Sequence, residues 1–113
     1  MTILKIIFLV ITVLHGLIFL MGFVKGFKLA EIKDVKSDIS QTGGLLWLLT
    51  TFLFLITAVL FLLNIEPVWW ILAIVSVVYS QILTFMYWQD AKFGTIANVL
   101  IIAGIILFVF VKI

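Results

Sequence analysis

Four uninterrupted apolar stretches, 3–24, 45–63, 68–88 and 96–111, fill almost the whole chain. A helix rises about 1.5 Å per residue and the hydrocarbon core of a bilayer is roughly 30 Å thick, so a span needs about 20 residues. Each stretch is near that length, and Lys5 is the only formal charge within them. The solvent of these segments is therefore lipid. The expected fold is an all-α membrane protein: an antiparallel bundle of four transmembrane helices forming a single domain, 1–113.

Composition agrees. The chain is 66% hydrophobic, against roughly 45–50% for soluble domains. A soluble bundle needs a polar face on each helix, and 52–63 and 99–111 have almost none. A transmembrane β-barrel would alternate polar and apolar residues, whereas these runs are continuous. There is no cysteine, which excludes disulfides, thiolate metal sites and dithiol redox chemistry. The net charge is +2, with seven lysines, no arginine and five acids. Such a composition has no basic stripe and does not suit nucleic acid. The first span lacks a small-x-small cleavage pattern and reads as retained.

The connections set the topology. In the loop 25–42, Leu29, Ile32, Val35 and Ile39 recur at spacings of three and four, which predicts a short interfacial helix between spans one and two. Ser40 or Thr42 is a candidate cap for the second span. Asn64, Ile65, Glu66 and Pro67 make a tight hairpin, with Pro67 suited to a helix start. Trp69 and Trp70 at one end, and Trp47, Tyr87 and Trp88 at the other, read as interfacial anchors. Thr95 and Asp90 are candidate caps for the fourth span. Five lysines (25, 28, 33, 36 and 92) lie on the side of the first and third loops, and two (5 and 112) on the side of the termini. The lysine bias puts the first and third loops in the cytoplasm and both termini outside.

Polar residues inside a membrane usually face protein or water. Counted from the cytoplasmic ends of the spans, His15 lies ~13 Å deep, Gln81 ~10 Å, Thr50 ~8 Å and Asn98 ~3 Å. One strong hydrogen-bonding residue per helix thus falls in the same half of the bilayer. Thr12, His15, Phe19, Gly22 and Gly26 follow a heptad-like seam, so His15 is expected to face a packed helix. It serves either as a ligand-contacting or proton-accepting group, or as packing glue hydrogen-bonded to Gln81, Thr50 or a carbonyl. Trp47 and Trp88 would stand at the mouth of this cluster. Asp90 and Lys92, in the turn between spans three and four, would form a charged lid with Glu31 and Asp34. One histidine without cysteine or a nearby carboxylate supplies too few ligands for a metal. No nucleophile-base order, phosphate loop or intramembrane carboxylate pair occurs, and no cofactor is implied.

Two segments carry a resemblance: Gly44-Leu45-Leu46-Trp47, and the run from Trp88 through Gln89, Asp90, Ala91, Lys92, Phe93, Gly94 and Thr95 to Asn98. Together with His15 and the glycines at 22 and 26, they make the chain resemble an uncharacterised bacterial family of four-helix membrane modules. More distantly it is similar to DoxX-like four-helix proteins, some linked to quinone or thiosulfate oxidation. The resemblance implies a bacterial inner membrane and supplies no catalytic residue. Three functions stay open: a non-enzymatic scaffold, partner subunit or regulator; a binder of a quinone, lipid or other small hydrophobic molecule; and an oligomeric transporter or channel. Expected partners are membrane lipids and either a second copy or another membrane protein.

Overall fold

The structure, a computed structural model, describes residues 2–29 and 38–112, with the side chain of Asp90 left aside. All regular elements among them are helical: α1 (Ile3–Ile18), α2 (Leu20–Gly26), α3 (Gln41–Leu62), α4 (Val68–Met86), α5 (Trp88–Ala91) and α6 (Gly94–Ile105), which runs on as wider π turns through Ile106–Val111. Four segments are long and apolar enough to cross a membrane: Ile3–Gly26, Gln41–Leu62, Val68–Met86 and Gly94–Val111. The interfacial helix expected in the first loop is centred on 30–37 and lies outside the described residues, as do Glu31 and Asp34 of the expected lid.

Local chemistry fixes the helix ends. Thr2 caps α1 by accepting from the Lys5 N–H at 3.3 Å. Ser40 caps α3 by accepting from the Gly43 N–H at 3.0 Å, so this helix starts at Gln41, four residues before its apolar run. The first span is broken at Phe19. The Gly16 carbonyl accepts both the Phe19 N–H at 3.2 Å and the Thr51 hydroxyl at 2.8 Å. A side chain reaching into the hydrogen-bond ladder is a known cause of such breaks. α4 stops at Met86 because Tyr87 leaves helical geometry (φ −120°, ψ 43°). The first position before α6 is Phe93, which makes no side-chain cap bond. Thr95, expected as that cap, is instead committed to Gln81.

The spans close a ring: the first against α3, α3 against α4, α4 against α6, and α6 back against α1. Three layers fill it. At one end Phe8, Phe61, Trp69 and Phe108 pack with ring centroids 4.8–5.8 Å apart, and Phe8 occupies the space beside Gly104. In the middle, Phe54 is fully buried and lies 4.8 Å from the His15 ring. At the other end, Trp47 packs edge-on against Phe19 and Tyr87, both at 5.4 Å. Beyond it Gly26 and Gly44 meet backbone to backbone.

Two tryptophans expected as interfacial anchors are core residues instead. Trp47 is 3% exposed and Trp69 2%. Glycine at 22 explains the first, since the Trp47 indole takes the volume that a side chain there would need. Buried hydroxyls are mostly satisfied within their own helix. Thr12, Thr50, Thr57 and Ser76 donate to the carbonyls of Phe8, Leu46, Leu53 and Leu72 at 2.7–2.9 Å. This i−4 bond is the local way to satisfy a hydroxyl where no water competes.

Candidate functional site

His15 is brought to the ring's interior by the seam read from the sequence; Thr12, His15, Phe19, Gly22 and Gly26 are all buried. Its partner is on the fourth span. His15 Nε2 lies 3.0 Å from Asn98 Oδ1, and the Ser80 hydroxyl donates to the same oxygen at 3.0 Å. Asn98 Nδ2 donates to Gln81 Oε1 at 2.9 Å, and Gln81 Nε2 donates to Thr95 Oγ1 at 3.0 Å. Asn98 is thus a hub joining α1, α4 and α6. Both ends of the Asn98 and Gln81 amides are engaged, and the His15 ring is bonded through one nitrogen. The other ring nitrogen, Nδ1, has no hydrogen-bond partner among the described residues, and the residue is 4% exposed.

The remaining candidates go elsewhere. Thr50 is spent on its own helix. Trp88 is exposed and stacks on Phe85 with centroids 6.0 Å apart. The Lys92 ammonium lies 5.4 Å over the Phe93 ring, and Asp90's backbone belongs to α5. Ser80 and Thr95 are members of the network that spacing alone did not single out. Their signal was chemical: a serine and a threonine within one helical turn's reach of Gln81 and Asn98.

Beside His15 lies a groove of about 590 Å³ between α1 and α6, within the roughly 300–1,000 Å³ typical of small-molecule sites. Its floor is His15, Phe19 and Trp47, and its α6 wall is Gly94 and Ala97. Two small residues three apart on α6 leave the space that larger side chains would close. The rims are exposed: Leu14, Ile18, Phe93 and Ile96 line the groove and also face outward. A side chain started at Gly94 would meet His15 Cε1 at 3.2 Å and Thr84 Oγ1 at 3.3 Å. Thr84 Oγ1 and Trp47 Nε1 are themselves buried without partners. Unpaired buried polar atoms cost roughly 1–3 kcal/mol each. Both belong to residues beside the recess: Trp47 lines it, and Thr84 neighbours Gly94 of its wall.

Comparison with protein-family models, with curated proteins and with solved structures finds no match.

Proposed function

We propose that this chain is a multi-pass membrane protein that binds a small lipophilic molecule, admitted sideways from the bilayer into the groove between α1 and α6. The observation that carries this reading is the groove itself: apolar walls, outward-facing rims, and on its floor the His15 ring, bonded among the described residues through Nε2 alone. An apolar cleft with a few convergent polar atoms is what such ligands require. The scaffold or partner-subunit reading needs no cavity at all. A transport path through one copy would have to displace Phe54, Ala73 and Ile101, which fill the middle of the ring.

The groove reading is tested in lipid nanodiscs with a diazirine-bearing hexadecanol. Saturable photolabelling of α1 and α6 is expected. Ala97→Trp, which fills the α6 wall, lowers that labelling at least tenfold while thermal stability is retained. Equal labelling of the wild type and Ala97→Trp would sink the proposal. So would labelling that never saturates, or rims covered by a second copy of the chain.

The orientation we propose is antiparallel neighbours in a bacterial inner membrane, with the first and third loops cytoplasmic and the termini outside. It is supported by the lysine distribution, the short second and third connections, and the family resemblance. Because the chain lacks cysteine, single replacements report sidedness cleanly. In intact cells a membrane-impermeant maleimide is expected to label Lys112→Cys and to leave Lys28→Cys and Lys92→Cys unlabelled. The reverse pattern inverts the topology.

A further inference from the structure

We propose that the occupant of the groove carries a single hydroxyl or carbonyl oxygen seated on His15 Nδ1, and that the two amides behind His15 let that nitrogen meet either. This deepens the groove reading and rests on it. The argument starts from the bond chain. As drawn, Asn98 Oδ1 accepts from His15 and Ser80, Asn98 Nδ2 donates to Gln81, and Gln81 Nε2 donates to Thr95. Nε2 then carries the hydrogen, and in the neutral ring Nδ1 is a bare acceptor. That face matches a hydroxyl, which donates.

Turning both amides by 180° gives a second arrangement with the same partners. Asn98 Nδ2 then faces His15 and Ser80, Asn98 Oδ1 accepts from Gln81, and Gln81 Oε1 accepts from the Thr95 hydroxyl. Ser80 keeps a donor bond, because its hydroxyl also lies 3.1 Å from the Val77 carbonyl. His15 Nε2 now accepts, so Nδ1 carries the hydrogen. That face matches a carbonyl. Neither arrangement leaves a member of the chain unpaired; the drawn one makes four bonds and the turned one five, a margin of one bond that does not by itself choose between them. The occupant does. A charged head group is disfavoured on the floor, where the lining is apolar apart from His15 and Trp47; the exposed Lys92 ammonium stands over Phe93 at the rim.

His15 is the only histidine, so ¹⁵N-histidine labelling yields one imidazole whose two nitrogen shifts report its tautomer. The protein in nanodiscs is titrated with 2-hexadecanol, 2-hexadecanone, hexadecane and hexadecanoate, each competing against the diazirine hexadecanol. The alcohol and the ketone are expected to displace the probe within about threefold of each other. Hexadecane and hexadecanoate are expected to be at least tenfold weaker. Nδ1 is expected to be unprotonated with the alcohol and protonated with the ketone. In Gln81→Glu, at a pH where the new carboxyl is ionised, it can only accept, which holds Asn98 in the first arrangement; the ketone then weakens at least tenfold and the alcohol does not. If hexadecane competes as well as the alcohol, the groove binds chains without reading a head group, and this inference falls while the groove reading stands. One and the same tautomer with both ligands overturns the amide turn. Failure of every compound to displace the probe overturns both readings.

Discussion

Gly22→Leu is expected to lower stability by about 3 kcal/mol or more, near the upper end of overpacking costs, and to prevent folding in milder detergents. The reason is geometric. A Cβ at position 22 would fall inside the Trp47 indole, and that ring cannot retreat. It is wedged between Phe19 and Tyr87, both at 5.4 Å, and is 3% exposed. The cost is set by the partner ring rather than by glycine's helix propensity, which would make leucine the better residue. Gly94→Ala is the contrast. Its Cβ meets only the His15 ring edge and the Thr84 hydroxyl, at 3.2 and 3.3 Å, so stability is expected to change by less than about 1 kcal/mol, far below the cost of a forced overpacking. Equilibrium unfolding in mixed micelles separates the two. Equal losses for both would mean that the Trp47 layer is not the tight one.

The same glycine shows what the sequence makes legible. The heptad-like seam put Gly22 and Gly26 on a packed face, because small residues at that spacing allow close helix approach. It could not say that the neighbour at Gly22 is an indole, while at Gly26 it is the Gly44 backbone. By its position near a span end, Trp47 is expected to be an anchor. Here burial against a vacant side-chain volume overrides that tendency. Span existence was legible because apolar length is a property of the residues themselves. Span ends were not, since they depend on caps such as Ser40 and on breaks such as the one at Phe19.

The candidate site divides in the same way. His15, Gln81 and Asn98 stood out as strong hydrogen-bonding groups in lipid, and all three share one network. Their depths, ~13 Å for His15, ~10 Å for Gln81 and ~3 Å for Asn98 at about 1.5 Å per residue, place them in one half of the bundle without saying which pairs bond. His15 pairs with Asn98 at 3.0 Å, whereas depth alone offers Gln81, Thr50 or a carbonyl, because which side chains meet is set by how the helices are rotated against each other. The groove was invisible in the sequence for a different reason. It is made of missing volume at Gly94 and Ala97, and missing volume matters only where another helix leaves it unfilled.

Asn98→Leu is expected to cost about 2–3 kcal/mol and to abolish recognition of the ligand's head group. The hub serves three helices, and interhelical hydrogen bonds in lipid average ~0.6 kcal/mol with a ceiling near 1.7. Removing the bonds to His15, Ser80 and Gln81 therefore accounts for about 2 kcal/mol at their average value. Ser80 recovers by donating to the Val77 carbonyl at 3.1 Å, and half-buried Gln81 keeps Thr95. His15 recovers nothing. Its Nε2 is left without a partner in a residue only 4% exposed, and that penalty supplies the remainder. Thr50→Val calibrates the result: its buried hydroxyl serves only the Leu46 carbonyl of its own helix, a back-bond that adds nothing to helix stability, so a loss under about 0.5 kcal/mol is expected. A double-mutant cycle of His15→Leu with Asn98→Leu isolates the pair and should return a coupling of about 1 kcal/mol. A coupling near zero would mean that the two residues are neighbours without being partners. The imidazole would then be free to turn, and Nδ1 would have no fixed orientation to offer a ligand.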